Sequence, residues 1–68
     1  MDNQLPPIGT VIRVGDEMYR IMAYPEGKWA GAVVVDPGAS GLRVGQYTHV
    51  PKTACVDFWE RFSNYGTW

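Results

Sequence analysis

The chain has 68 residues, with 6 Lys and Arg against 7 Asp and Glu, and its formal charge of -1 excludes a strong global field that would draw in nucleic acid or anionic lipid. A domain of this size buries only roughly 60% of its unfolded surface, which leaves a thin core and little room for a deep private pocket. At 46% hydrophobic and 19% charged residues it is globular rather than disordered, and its single cysteine excludes an internal disulfide framework or a paired-cysteine zinc site.

One domain is expected over residues 1–68. The opening Met1-Asp2-Asn3-Gln4-Leu5-Pro6-Pro7 lacks the basic and apolar regions of a secretory signal. Residues 1–9 read as an extended lead-in, because proline denies a helix its amide donors. Strands are expected over 10–50 and an aromatic-rich segment over 51–68.

The clearest local signal is a hairpin. Thr10-Val11-Ile12-Arg13-Val14 and the run from Glu17 to Tyr24 flank Gly15-Asp16, a two-residue loop suited to a type II′ turn. That turn pairs Val14 with Glu17, Ile12 with Tyr19 and Thr10 with Ile21; on the other face it pairs Arg13 with Met18 and Val11 with Arg20. Strict alternation then puts Ile12, Val14, Tyr19 and Ile21 on the core side.

Pro25-Glu26-Gly27-Lys28 is a turn, followed by a β-branched strand from Trp29 to Val35. This strand is apolar on both faces, and Val33 and Val35 are expected to join the hairpin's core. Asp36-Pro37-Gly38-Ala39-Ser40-Gly41 is a second turn, with Asp36 bonding the backbone ahead of it. Leu42 to Val50 reads as a fourth strand stopped by Pro51. Beyond it, Cys55, Phe58, Trp59 and Phe62 fall on one helical face, with Thr53 as N-cap and Gly66 as terminator. A strand over 54–63 would set Glu60 in an apolar row, so a short helix is preferred.

Short strands and tight turns suggest a small closed or half-closed barrel. Gly15-Asp16-Glu17-Met18-Tyr19-Arg20-Ile21 resembles the step into the long hairpin strand of SH3-like barrels. Trp29 after Pro25-Glu26-Gly27-Lys28 is similar to the tryptophan that begins their next strand, and Val50-Pro51-Lys52-Thr53-Ala54-Cys55-Val56 resembles their proline-led turn before the last strand. The resemblance implies a mainly β fold, an SH3-like barrel of four to five antiparallel strands with a short C-terminal helix or turn. The aromatic-acidic segment of signalling SH3 domains is absent from Met1 to Gly9, and Cys55-Val56 stands where those domains use a ligand-binding tyrosine, so polyproline binding is not implied. Trp29-Ala30-Gly31-Ala32-Val33-Val34 is also similar to a stretch of the plasmid-borne barrel-type dihydrofolate reductases. Val44-Gly45-Gln46-Tyr47 does not reproduce their Val-Gln-Ile-Tyr motif, and that activity is not expected.

His49 and Cys55 are the only His and Cys, and a catalytic dyad needs thiolate, imidazole and oxyanion donors together. The expectation is an exposed histidine and a buried, inert cysteine. Scattered carboxylates offer no metal-ligand spacing and no glycine pattern makes a phosphate loop, so no enzyme activity, metal or cofactor is expected. The longest apolar run, Trp29 to Val35, falls far short of the ~20 residues that span a bilayer, and with a lone thiol the expected location is cytoplasmic.

Binding fits the residues better. Five of the nine aromatics (Phe58, Trp59, Phe62, Tyr65 and Trp68) lie in the final eleven residues, more than so small a domain readily buries. The expected function is a small non-catalytic protein-binding module, such as an inhibitor or accessory subunit of the kind phage and mobile elements encode. Its partner-binding residues are expected to be Arg13, Met18, Arg20, Trp59, Tyr65 and Trp68. The alternative is a nucleic-acid-binding barrel using Arg13, Arg20 and Tyr47, since cations and rings together bind single strands. A homo-oligomer stays open.

Overall fold

In a computed structural model of the chain, which describes residues 5–66 and their side chains as far as Arg61, four strands form an antiparallel meander. They are β1 (Val11–Val14), β2 (Glu17–Ala23), β3 (Trp29–Asp36) and β4 (Tyr47–Pro51), and α1 (Lys52–Gly66) follows them. The fold is mainly β, with one C-terminal helix.

Gly15 sets the first turn. Its φ is 65° and among the described residues no non-glycine has a positive φ, so only the first central residue of the loop has one, as a II′ turn requires. The hairpin register is the expected one: Val14 opposes Glu17, Arg13 opposes Met18, Ile12 opposes Tyr19 and Val11 opposes Arg20. The Ile21 amide extends it by donating to the Thr10 carbonyl at 2.9 Å. Two anchors hold the lead-in beside β2. The Gly9 amide donates to the Ile21 carbonyl at 2.7 Å, and the Tyr24 hydroxyl donates to the Pro6 carbonyl at 2.6 Å.

The expected core needs correction at β3. Tyr19 opposes Val34 and Ile21 opposes Ala32, so the even-numbered residues of β3 join the hairpin's apolar face. The buried cluster is Ile12, Tyr19, Ile21, Ala30, Ala32, Val34, Val50 and Cys55, with Val14 packed at its margin. Val33 is half-buried and Val35 is 36% exposed on the opposite face. Both faces of this strand are apolar, so composition cannot choose between them. The ladder register chooses, and it shifts on either side of the Tyr19 to Ile21 segment.

β4 is also shorter than expected. Residues 42–46 are not strand, because the Gln46 amide donates to the Arg43 carbonyl and the Gln46 Oε1 accepts the Arg43 amide, which closes a turn. Asp36 does bond ahead, its Oδ1 accepting the Gly38 amide at 3.0 Å.

The sheet does not close into a barrel. Its order β1-β2-β3-β4 leaves β1 and β4 as edges, and α1 packs against both of them. The helix brings Cys55 into the buried cluster and seats Phe58 against it, while Asp57, Glu60 and Arg61 stay exposed. The i, i+3 apolar spacing thus becomes the buried stripe. Thr53 lies inside the first turn rather than at the cap, because the helix begins at Lys52. The Lys52 amide donates to the Lys28 carbonyl at 2.9 Å, and its Nζ donates to the Pro25 carbonyl at 2.6 Å.

Candidate binding face

The buried cluster, with Cys55 of α1 in it, lies on the inner face of the sheet, so the outer face presents the alternate residues of every strand. One cross-strand row runs Val11, Arg20, Val33, Tyr47, with one residue from each strand. The next row on one side sets Arg13 beside Met18 and Asp36; on the other side Ala23, Gly31 and His49 line up, with Trp29 beyond them opposite Pro51. Arg13 and Arg20 are exposed and Met18 is half-buried. Three of the expected partner-binding residues therefore meet on one face. Tyr47 lies two strands from Arg20, roughly 9–10 Å at ordinary strand spacing.

Trp29 is absent from the binding residues expected on sequence, yet it is 53% exposed, as is Tyr47. The signal for it was alternation. Once Ala30, Ala32 and Val34 turn inward, Trp29 turns out. The Tyr47 ring meets His49 edge-on, with centroids 5.6 Å apart and planes at 89°. Its hydroxyl covers Gly31, where a Cβ would overlap it. Trp29, Thr48 and His49, with Pro25 and Glu26 from the β2–β3 loop, line an open hollow of ≈ 500 Å³.

On the outer face Arg13 and Arg20 share their rows with one carboxylate, Asp36, whose Oδ1 already accepts the Gly38 amide. Arg20 is steadied by donating from Nη1 to the Gly9 carbonyl at 3.1 Å. Glu17 belongs to the inner side, where it accepts the Tyr19 hydroxyl. Burial, reinforced by that hydrogen bond and the Glu17 charge, pushes Tyr19 up to about 12. Burial does the same to Tyr24, also to about 12, with a smaller contribution from Cys55.

Of the second expected surface, Trp59 sits half-buried on α1, outside the cross-strand rows that carry Arg13, Met18 and Arg20, although Ala54, Asp57, Phe58 and Arg61 of the same helix line a hollow with Arg13. The side chain of Tyr65, and Trp68 altogether, lie outside the described residues. His49 and Cys55 are separated too. His49 is exposed on the outer face, whereas Cys55 is buried against the inner one, where desolvation pushes its thiol up. Among the described residues no three His, Cys, Asp or Glu gather as metal ligands, and no helix is long and apolar enough to cross a membrane. Compared with family models, curated proteins and solved structures, the chain matches none.

Proposed function

We propose that the protein is a non-catalytic binding module that engages a protein partner through the outer face of its sheet. The observation that carries this reading is the gathering of two half-exposed rings, Trp29 and Tyr47, with Arg13, Met18 and Arg20 on one face. Rings with few rotatable bonds give contact area at low entropic cost, and arginine adds directed polar contacts; such residues dominate binding energy at interfaces. A sheet backed by its own helix presents them with little reorganisation. An inhibitor or accessory subunit acts in this way, by occupying a surface. The proposal includes the frame: the II′ hairpin and the proline before the last element fit an SH3-like barrel opened between its first and last strands.

A second reading is single-stranded nucleic acid. Arg20 and Tyr47 share one cross-strand row, which carries no carboxylate. Rings there would stack on bases while arginines meet phosphates. The test compares the parent with Trp29→Ala and with an Arg13→Glu, Arg20→Glu pair, all shown to be folded. Loss of partner capture in both supports the protein reading. Salt-dependent oligonucleotide binding that both variants lose supports the second. Unchanged capture and unchanged activity in cells would overturn the assignment of this face.

A further inference from the structure

The hydrogen-bond parity of the sheet decides which backbone groups of β4 are left open. The Val34 amide donates to the Gln46 carbonyl and the Lys52 amide donates to the Lys28 carbonyl. Ala32 opposes Thr48 and Ala30 opposes Val50 within that same ladder. Residues 46, 48, 50 and 52 therefore direct their backbone groups towards β3, and Tyr47 and His49 direct theirs away from the sheet. Among the described residues, nothing hydrogen-bonds those outward amides and carbonyls.

An open edge of this kind is a template for another strand, and proteins usually blunt it with lysine, proline or a bulge. Along 47–50 there is no lysine and no proline, and the β3–β4 ladder is regular; Pro51 appears only at the end. The other edge, β1, is guarded. Ala54, Asp57, Phe58 and Arg61 of α1 stand beside Arg13 and Val14.

We propose that β4 pairs antiparallel with β4 of a second copy of this chain, forming a two-fold dimer with one continuous eight-stranded sheet. The occupant follows from self-complementarity. A two-fold axis through Thr48 sets Tyr47 opposite the partner's His49, and His49 opposite the partner's Tyr47. Both are positions whose backbone groups point outward, so both become hydrogen-bonded pairs and every open group finds its mate. The side chains of these pairs fall on the outer face, so each edge-on Tyr47–His49 contact gains a second ring from the other chain. The hollow beside His49 and Trp29 is open where the partner's Tyr47 would arrive. Edge pairing of five-residue strands covers little surface, so the dimer is weak and depends on concentration. This inference shares Tyr47 and Trp29 with the proposed outer face but rests on the open backbone of β4, which Arg13 and Arg20 do not touch.

Thr48→Cys gives a direct test. The axis sets the two copies of residue 48 opposite each other as a non-hydrogen-bonded pair, roughly 4.5 Å apart at Cα, within the reach of a disulfide, about 4.4–6.8 Å. Mild oxidation of the full chain should give a disulfide-linked dimer at least tenfold faster than for Glu60→Cys on the exposed side of α1. Sedimentation of the parent should shift from one-chain to two-chain mass as concentration rises. A Tyr47→Lys, His49→Lys variant with unchanged circular dichroism should remain at one-chain mass. The Arg13→Glu, Arg20→Glu pair should still dimerise, which separates this inference from the reading of the outer face. Equal oxidation rates for the two cysteine variants, or a dimer that persists in the double-lysine variant, would overturn the proposal.

Discussion

The Tyr47 hydroxyl lies directly over the backbone of Gly31, so that a Cβ at position 31 would collide with it. The two residues are diagonal neighbours across β3 and β4, and Gly31 is buried beneath a ring that is itself 53% exposed. The outer face therefore depends on a glycine that no partner could touch.

Gly31→Ala should separate the face from the fold. Position 31 has no positive φ, so alanine suits its backbone, and the obstructing atom is the end of a side chain that can swing into solvent. The stability change should stay within about 1 kcal/mol, because the loss of chain freedom in the unfolded state offsets small strain. The Tyr47–His49 ring contact should be lost. Denaturant midpoints and ring-to-ring nuclear Overhauser effects check the two halves, and an intact ring contact would refute the account.

The corrected core makes β3 discriminating. Val34 is 1% exposed while Val35 is 36% exposed. Val34→Ala should cost about 1.5–3 kcal/mol, the order of burying one such side chain, and Val35→Ala well under half of that. Ile12→Ala and Ile21→Ala, both at fully buried positions, should cost about 2–5 kcal/mol from lost burial plus a cavity. Chemical denaturation of the four variants gives the ranking, and equal costs for Val34 and Val35 would contradict the register.

At the first hairpin, Gly15→Val should cost about 3 kcal/mol, the upper end for a strained backbone, because φ of 65° is a poor fit for a β-branched residue. Asp16→Ala should cost about 1 kcal/mol rather than nothing. Its carboxylate accepts the Ala39 amide at 3.2 Å, which ties the hairpin tip to the loop after β3. Equal tolerance of the two substitutions would rule out this turn.

Alkaline pH should unfold the protein through two tyrosines. Tyr19 and Tyr24 have folded values near 12 against 10.0 unfolded. The folded state therefore holds these protons more tightly, and the stability this confers is fully present below about pH 10 and lost as pH rises through about 12. The order of the loss is about 2–3 kcal/mol for each group. Tyr19→Phe with Tyr24→Phe should flatten the alkaline limb of the stability curve, at the cost of the bonds to Glu17 and Pro6. A curve equally steep in the double variant would place the effect elsewhere.

The first hairpin was legible in the sequence because a two-residue glycine turn and strict alternation leave one register. Ile12, Tyr19 and Ile21 are buried, and Arg13 and Arg20 are exposed, as that register requires. The turn at Asp36 and a helix carrying Cys55 and Phe58 inward followed from equally local rules. Tertiary structure decided what local pattern leaves degenerate. Trp29 to Val35 is apolar on both faces, so only pairing with β2 turned Val34 inward and left Trp29 for the outer face. Tertiary placement also decided that the strands do not close on themselves: β1 and β4 stay the edges of one sheet, and α1 packs against β1 from far along the chain. The open edge at Tyr47 and His49 follows from the strand order, since backbone groups are satisfied or left open only once every strand has its place.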